Sequence, residues 1–147
     1  MNGTNKKEHN SLTRLEKFSS DDHNHNSKQN KILIVEDNPI LVKLYSMYLK
    51  NNFFIDTAYN GLDAIKKIIK MPPHLILLDI MMPGLDGFSV AQQMSDKKIL
   101  IPTIVLTAKH LNKEEIELLK KLGITSYFQK DELTQDILLE EIKKYFL

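Results

Sequence analysis

The stretch HLILLD at residues 74–79 decides the fold. Its four consecutive apolar residues, Leu75–Leu78, are followed by Asp79, so the run lacks the alternation of a strand with one solvent-facing side. A strand buried on both faces has this pattern, and a parallel sheet covered by helices on both sides contains such strands. The stretch therefore predicts a buried strand of a parallel sheet that ends at an acidic residue.

Similar runs recur along the chain, and amphipathic stretches with helical spacing separate them. ILIV at 32–35 and TIVL at 103–106 are also apolar without alternation. The five predicted strands are Lys31–Glu36, Phe53–Ala58, His74–Asp79, Ile101–Thr107 and Ile124–Lys130. A β-α alternation repeated five times, with right-handed crossovers, predicts a doubly wound α/β domain over residues 31–147.

Capping residues mark where the helices begin and end. Asp37 or Asn38 can cap the first helix, with Pro39 in its first turn. The fourth helix opens at Asn112 and ends before Gly123, a suitable left-handed C-cap. The apolar stripe of the last helix, roughly Leu133–Phe146, comprises Leu133, Ile137, Leu138, Ile142, Tyr145 and Phe146.

Composition excludes several classes of function. With 20 Lys+Arg against 19 Asp+Glu the formal net charge is only +1, which argues against direct binding to nucleic acid or to an anionic membrane. The chain has no cysteine, so disulfides, thiolate metal sites and cysteine nucleophiles are excluded. No run approaches a membrane-spanning length, and the N-terminus lacks the apolar core of a secretory signal. We therefore expect a cytoplasmic protein.

The first 30 residues differ from the rest of the chain. They contain only four hydrophobic residues (Met1, Leu12, Leu15 and Phe18) and are rich in Asn, Ser, His and charge. Such a stretch cannot bury enough apolar area to offset the entropy of ordering it. We expect residues 1–30 to be a disordered polar tail and residues 31–147 to be the globular domain.

Polar residues end four of the predicted strands and should meet at one edge of the sheet, where open parallel sheets place their ligand sites. They are Glu36 with Asp37, Asp79, Thr107 and Lys130. Each alone has an ordinary explanation: a helix cap, a strand end that reaches solvent, a β-forming threonine or a surface lysine. Together they would bring three carboxylates, a hydroxyl and an ammonium into one crevice.

This combination of groups suits phosphoryl transfer. Three neighbouring acids repel one another unless they share protons or bind a cation, and oxygen ligands without cysteine favour Mg²⁺. A metal and fixed positive charge are what an oxygen-rich phosphoryl group requires. A carboxylate can itself be the nucleophile, which would give an aspartyl-phosphate.

Four segments carry a resemblance to a known family: ILIVEDN at 32–38, LILLDIMMPGLDGF at 75–88, IVLTA at 104–108 and YFQK at 127–130. In this order and spacing they resemble the response-regulator receiver domain of two-component signalling. The resemblance covers residues 31–147 and implies a five-stranded flavodoxin-like (βα)5 fold.

The resemblance also implies a role for each site residue. Asp79 would accept a phosphoryl group from a histidine kinase or a histidine phosphotransfer protein. Asp37, Asp79 and the main-chain carbonyl of Met81 would hold Mg²⁺, with Glu36 assisting.

Further roles implied by the resemblance concern the signal itself. Thr107 and Lys130 would contact the phosphoryl group. Tyr127, turning inward with Thr107, would report phosphorylation to a protein target on the face formed by the fourth helix, fifth strand and fifth helix. One departure is that Asp131 follows Lys130, where the family usually has a proline that is often cis. Either this peptide is trans and the lysine arrives by another path, or strain is stored there.

The leading hypothesis is a phosphoacceptor response regulator that catalyses only its own phosphorylation and dephosphorylation. Because the chain stops at Leu147, we expect a stand-alone receiver, monomeric or a phosphorylation-dependent dimer. The alternative is a pseudo-receiver, an interaction module with no working switch, for which Asp131 is the only support. An aspartyl-nucleophile phosphatase would want an acid where Met81 stands, and Glu36 and Asp37 would repel the phosphate of a flavin nucleotide.

Overall fold

The computed structural model describes residues 29–146, in which five strands and five α-helices alternate. The prediction for the N-terminal tail lies outside the described residues, except for Gln29 and Asn30. In chain order the elements are β1 (Lys31–Val35), α1 (Pro39–Leu49), β2 (Phe54–Ala58), α2 (Gly61–Lys70), β3 (Leu75–Asp79), α3 (Gly87–Asp96), β4 (Thr103–Thr107), α4 (Lys113–Lys121), β5 (Ser126–Gln129), a 3₁₀ turn (Lys130–Glu132) and α5 (Gln135–Phe146).

The strands form one parallel sheet in the order β2-β1-β3-β4-β5, which confirms the predicted flavodoxin-like fold. β3 lies at the centre, and all five of its residues are buried. The register aligns the carboxyl ends of the strands: Val35 lies opposite Leu78, and Asp79 opposite Leu106. Residues that follow β1, β3 and β5 therefore emerge at the same edge.

Helices cover both faces of the sheet, which is why its central strands are apolar throughout. Alternate residues of β1 serve opposite cores: Leu33 and Val35 pack with α2, α3 and α4, whereas Ile32 and Ile34 pack with α1 and α5. This two-sided burial is the packing that the unalternated runs predict.

Most of the predicted helix boundaries are confirmed. Asn38 caps α1, its side chain accepting a hydrogen bond from the Ile40 N–H, and Pro39 occupies the first turn. Asn112 caps α4, and Gly123 follows that helix with φ of +80°. Among the described residues, no helix is long and apolar enough to cross a membrane.

Several boundaries differ from the predictions. β4 begins at Thr103 because Pro102 has no N–H to donate, although its carbonyl accepts from the Ile76 N–H. Ile124 precedes β5 because its N–H closes the end of α4 on the Leu119 carbonyl. The last helix begins at Gln135, since a 3₁₀ turn occupies the preceding segment, and Ile137 is 39% exposed rather than part of the buried stripe.

Candidate functional site

Three predicted acidic residues gather at the carboxyl edge of the sheet. Glu36 and Asp37 follow β1, and Asp79 ends β3; each offers a carboxylate oxygen, and these oxygens lie within 4.8 Å of one another. Glu36 and Asp79 are almost fully buried, whereas Asp37 is exposed. We call these three residues the acidic cup. The cup therefore combines two buried carboxylates with one that solvent reaches.

Lys130 supplies the positive charge of the cup. Its Nζ lies 2.6 Å from Glu36 Oε2 and 3.2 Å from Asp79 Oδ2, and only 14% of its side chain is exposed. Lys130 is therefore not an outward surface lysine. The described residues contain no cis peptide bond, so the Lys130–Asp131 peptide is trans, and the ammonium still reaches both acids. The 3₁₀ turn that begins at Lys130, directly after β5, provides this path.

Each buried carboxylate has one oxygen bound by the backbone and one that faces Lys130. Glu36 Oε1 accepts from the Asn38 N–H at 3.1 Å, and Asp79 Oδ1 accepts from the Met81 N–H at 3.0 Å. Their other oxygens share the single Lys130 ammonium. One positive charge opposite three carboxylates leaves the acidic cup short of positive charge, and a hard cation with oxygen ligands would supply it. The donor set thus fits Mg²⁺.

Two predicted site residues have no hydrogen bond or ion pair with the cup. Thr107 is buried at the end of β4, but its hydroxyl donates to the Lys109 carbonyl and accepts from the Lys109 N–H. Tyr127 lies on β5 with 40% of its surface exposed. It is therefore not a core residue, which would be the ordinary explanation for an aromatic on a strand.

Gly87 is a site residue that the sequence presents only as part of a turn. A Cβ built at Gly87 would overlap the Asp79 carbonyl oxygen and lie 2.7 Å from the Ile80 Cα. The Gly87 N–H also donates to the Ile80 carbonyl at 3.0 Å. The first residue of α3 thus packs directly on the backbone of Asp79, and only glycine fits there. No spacing rule distinguishes this close approach from ordinary turn chemistry.

Comparison with known proteins identifies the family of this chain. The family model described as the response regulator receiver domain matches residues 32–143. The chain belongs to the response regulator receiver domain family. Receiver domains of two-component systems are phosphoacceptors that generally bind Mg²⁺ at an acidic pocket, which corresponds here to the acidic cup.

Individual relatives agree with this assignment. The receiver domain is 46% identical over 84 residues to the transcriptional regulatory protein ResD of Bacillus subtilis. The aligned segment covers 56% of this chain and 35% of ResD. It is 35% identical over 132 residues to hybrid signal transduction histidine kinase B of Dictyostelium discoideum, 80% of this chain and 7% of the kinase. The chain therefore spans well under half the length of these curated relatives.

Solved structures give the same result for the fold. The receiver domain of a LuxO repressor protein from Vibrio parahaemolyticus superposes with a TM-score of 0.74 at 27% identity, covering 80% of this chain and 90% of that one. The BeF3-activated receiver domain of RstA from Klebsiella pneumoniae superposes with a TM-score of 0.70 at 30% identity. That match covers 79% of this chain and 97% of the RstA chain.

Burial makes the charged state of the acidic cup unfavourable in this receiver domain. Burial raises the pKa of Glu36 to about 7, and the charge of Asp79 adds to the rise while Lys130 opposes it. Burial also raises the pKa of Asp79, again against the effect of Lys130. One lysine does not fully compensate the acids, so a divalent ion should be taken up most readily when the carboxylates are ionised.

We expect the stability of the metal-free receiver to fall as the pH rises from 5 to 8. A folded-state pKa raised to about 7 means that protonated Glu36 favours the folded state, and this contribution is lost as the pH passes the folded pKa. Mg²⁺ at ten times its dissociation constant should stabilise the protein by about 1.4 kcal/mol. That corresponds to about 5 °C in melting temperature at pH 8, and less at pH 5.

Thermal melts with and without Mg²⁺ at both pH values, on the wild type and Glu36→Gln, measure these effects. The variant should lose most of the pH dependence in the metal-free state. Equal stabilisation by Mg²⁺ at pH 5 and pH 8 would contradict the assignment of the effect to ionised cup carboxylates.

Proposed function

We propose that this receiver domain is a phosphoacceptor switch in which Asp79 takes a phosphoryl group from a phosphohistidine. The observation that carries the proposal is the buried pair of carboxylates, Glu36 and Asp79, that shares the single Lys130 ammonium. A purely structural ion pair would not require a third acid, Asp37, at the mouth of the cup. A phosphoryl acceptor does require a third acid, because the acids together hold the cation whose positive charge faces the phosphate oxygens.

The proposed reaction needs one nucleophile and no other covalent group from the chain. A carboxylate oxygen of Asp79 bonds to phosphorus while the phosphorus–nitrogen bond of the donor breaks, and the donor imidazole keeps the electron pair and takes up a proton from solvent. Asp37, Asp79 and the Met81 main-chain carbonyl would hold Mg²⁺, with Glu36 assisting. When bound, the ion supplies positive charge that offsets the phosphoryl oxygens.

Lys130 and Thr107 would act on the product state. The Lys130 ammonium, already 3.2 Å from Asp79 Oδ2, would move its ion pair to a phosphoryl oxygen. Thr107 would turn its hydroxyl from Lys109 to the phosphoryl group, and Tyr127 would leave its exposed position. The signal would then pass to a protein target on the face of α4, β5 and α5, or to a second copy in a phosphorylation-dependent dimer.

Incubation with acetyl phosphate and Mg²⁺ tests the function directly. One acid-stable, hydroxylamine-sensitive phosphoryl group should appear by intact mass spectrometry, and chelation of Mg²⁺ should prevent it. Absence of labelling, together with no response to fluoroberyllate in Mg²⁺, would favour the pseudo-receiver alternative instead.

We infer that the phosphodonor approaches across α1, because this helix begins two residues after Asp37 of the cup. Ile40, Leu44 and Met47 lie on one side of this helix and are 75%, 36% and 54% exposed. They form an apolar stripe that continues from the mouth of the acidic cup. We propose that a helical surface of a histidine kinase or phosphotransfer protein, bearing the phosphohistidine, docks on this stripe, and that the exchange takes place in the cytoplasm.

Ile40→Glu should slow phosphotransfer from a phosphorylated histidine protein by about tenfold, since about 1.4 kcal/mol of apolar contact would be lost. Labelling by acetyl phosphate, which needs no docking surface, gives the reference rate. Ile69→Glu is the matched control, because Ile69 is also exposed (54%) but lies in the last turn of α2. Equal slowing by both variants would argue against docking on α1.

A further inference from the structure

The loop between β4 and α4 is tied to the first turn of α4 through one side-chain pair. Lys109 Nζ lies 2.7 Å from Glu115 Oε1. Glu115 Oε2 accepts from the Asn112 N–H at 3.1 Å, and the Glu115 N–H donates to Asn112 Oδ1 at 2.8 Å. Both carboxylate oxygens of Glu115 are therefore engaged, one in the helix cap and one with Lys109.

The backbone of the same lysine fixes the Thr107 hydroxyl. Thr107 Oγ1 donates to the Lys109 carbonyl at 2.9 Å and accepts from the Lys109 N–H at 3.1 Å. A threonine hydroxyl has one hydrogen, and here it is given to Lys109. It cannot also be donated to a group bound at Asp79, so the bond to Lys109 must break first.

We propose that Glu115 is a positioning residue that, through Lys109, keeps the Thr107 hydroxyl bonded to Lys109 and so unavailable to a group on Asp79 in the unphosphorylated protein. The Lys109 hydrogen bond and the Asn112 N–H keep the pKa of Glu115 below its usual value, so the carboxylate is charged at neutral pH. Held by its ammonium, Lys109 keeps its peptide group within reach of Thr107. Release of the ion pair lets that peptide group move and frees the hydroxyl.

This inference rests on the proposed function, because the hydroxyl has a destination only if Asp79 receives a phosphoryl group. It goes beyond that function, because it makes the ion pair between Lys109 and Glu115 one reason why the unphosphorylated protein resists switching. The pair is partly exposed, with 46% and 21% of the two side chains accessible, so its effect should be modest and should weaken with added salt.

Glu115→Gln separates this role from helix capping. Glutamine can still accept from the Asn112 N–H, so the capping box persists while the charge opposite Lys109 is lost. Glu114→Gln is the matched control, because it removes an acid from the same first turn without touching Lys109. Lys109→Gln breaks the pair from the other side, and the double variant shows whether the two changes act through one contact.

Two readouts are measured on the full chain: amide hydrogen exchange of Lys109 in the free protein, and the affinity for fluoroberyllate in Mg²⁺. Glu115→Gln and Lys109→Gln should each raise both the exchange rate and the affinity by about two- to fivefold. The double variant should match the single ones, and Glu114→Gln should match the wild type.

Unchanged exchange and affinity in Glu115→Gln, or equal changes in Glu114→Gln, would overturn the inference. A double variant that adds the two single effects would also overturn it, because the residues would then act separately. Failure of the wild type to bind fluoroberyllate would count against the proposed function, and the exchange rates would still decide whether Glu115 controls the contact between Lys109 and Thr107.

Discussion

Asp79→Asn should abolish labelling by acetyl phosphate in Mg²⁺, a loss of about 100-fold or more, on the scale expected when a nucleophile is removed. Asparagine keeps the size of the side chain and can still accept from the Met81 N–H, so the fold should persist. It should even be stabilised without metal, because one of two buried, neighbouring carboxylates becomes neutral.

Intact mass spectrometry after timed incubation measures the labelled fraction. Asp86→Asn is the matched control, since Asp86 lies seven residues further along and asparagine retains its capping bond to the Ser89 N–H. The control should label like the wild type. Labelling of Asp79→Asn at the wild-type rate, or a phosphoryl group mapped to another residue of the wild type, would remove Asp79 from its proposed role.

Lys130→Met should destabilise the metal-free protein by about 2–3 kcal/mol at pH 8. Removing one partner of a buried ion pair costs about 3–5 kcal/mol, and the partial exposure of Lys130 reduces the cost. At pH 5 the loss should be smaller, because Glu36 is then mostly protonated. Mg²⁺ should restore part of the lost stability at pH 8 by replacing the missing positive charge.

Urea unfolding of the wild type and Lys130→Met at both pH values, with and without Mg²⁺, measures the loss of stability. Lys113→Met, which removes an exposed lysine at the start of α4, controls for the change in net charge and should shift stability by less than about 0.5 kcal/mol. A loss that is the same at pH 5 and pH 8 would show that packing of the lysine stem, rather than its charge, matters.

Strand order and strand ends made much of the candidate site predictable. Parallel strands end at one edge, so the acidic residues at the ends of β1 and β3 lie at the same edge, and they meet because these two strands are neighbours. The same rule placed Lys130 at that edge. The effect of Asp131 could not be predicted, because it depends on the path of the chain after β5, which here is a 3₁₀ turn.

The orientation of individual side chains could not be predicted from the sequence. A buried threonine can direct its hydroxyl to either side of a strand end, and the partner of Thr107 depends on the loop conformation at Lys109. Likewise, no periodicity shows that Ile137 is 39% exposed while the adjacent Leu138 is buried, because both residues belong to the predicted apolar stripe. Local loop geometry, rather than hydrophobic pattern, decides these details.

The order of the strands has a consequence for cooperativity during folding. β1 and β3 are neighbours, so Glu36 and Asp79 come together as soon as these two strands pair. Lys130 arrives only with β5, which can join the sheet only after β4 has done so. A sheet that lacks β5 therefore keeps the repulsion between the Glu36 and Asp79 carboxylates, and the arrival of Lys130 with β5 reduces it. This repulsion destabilises partly assembled sheets, so folding should be closer to all-or-none.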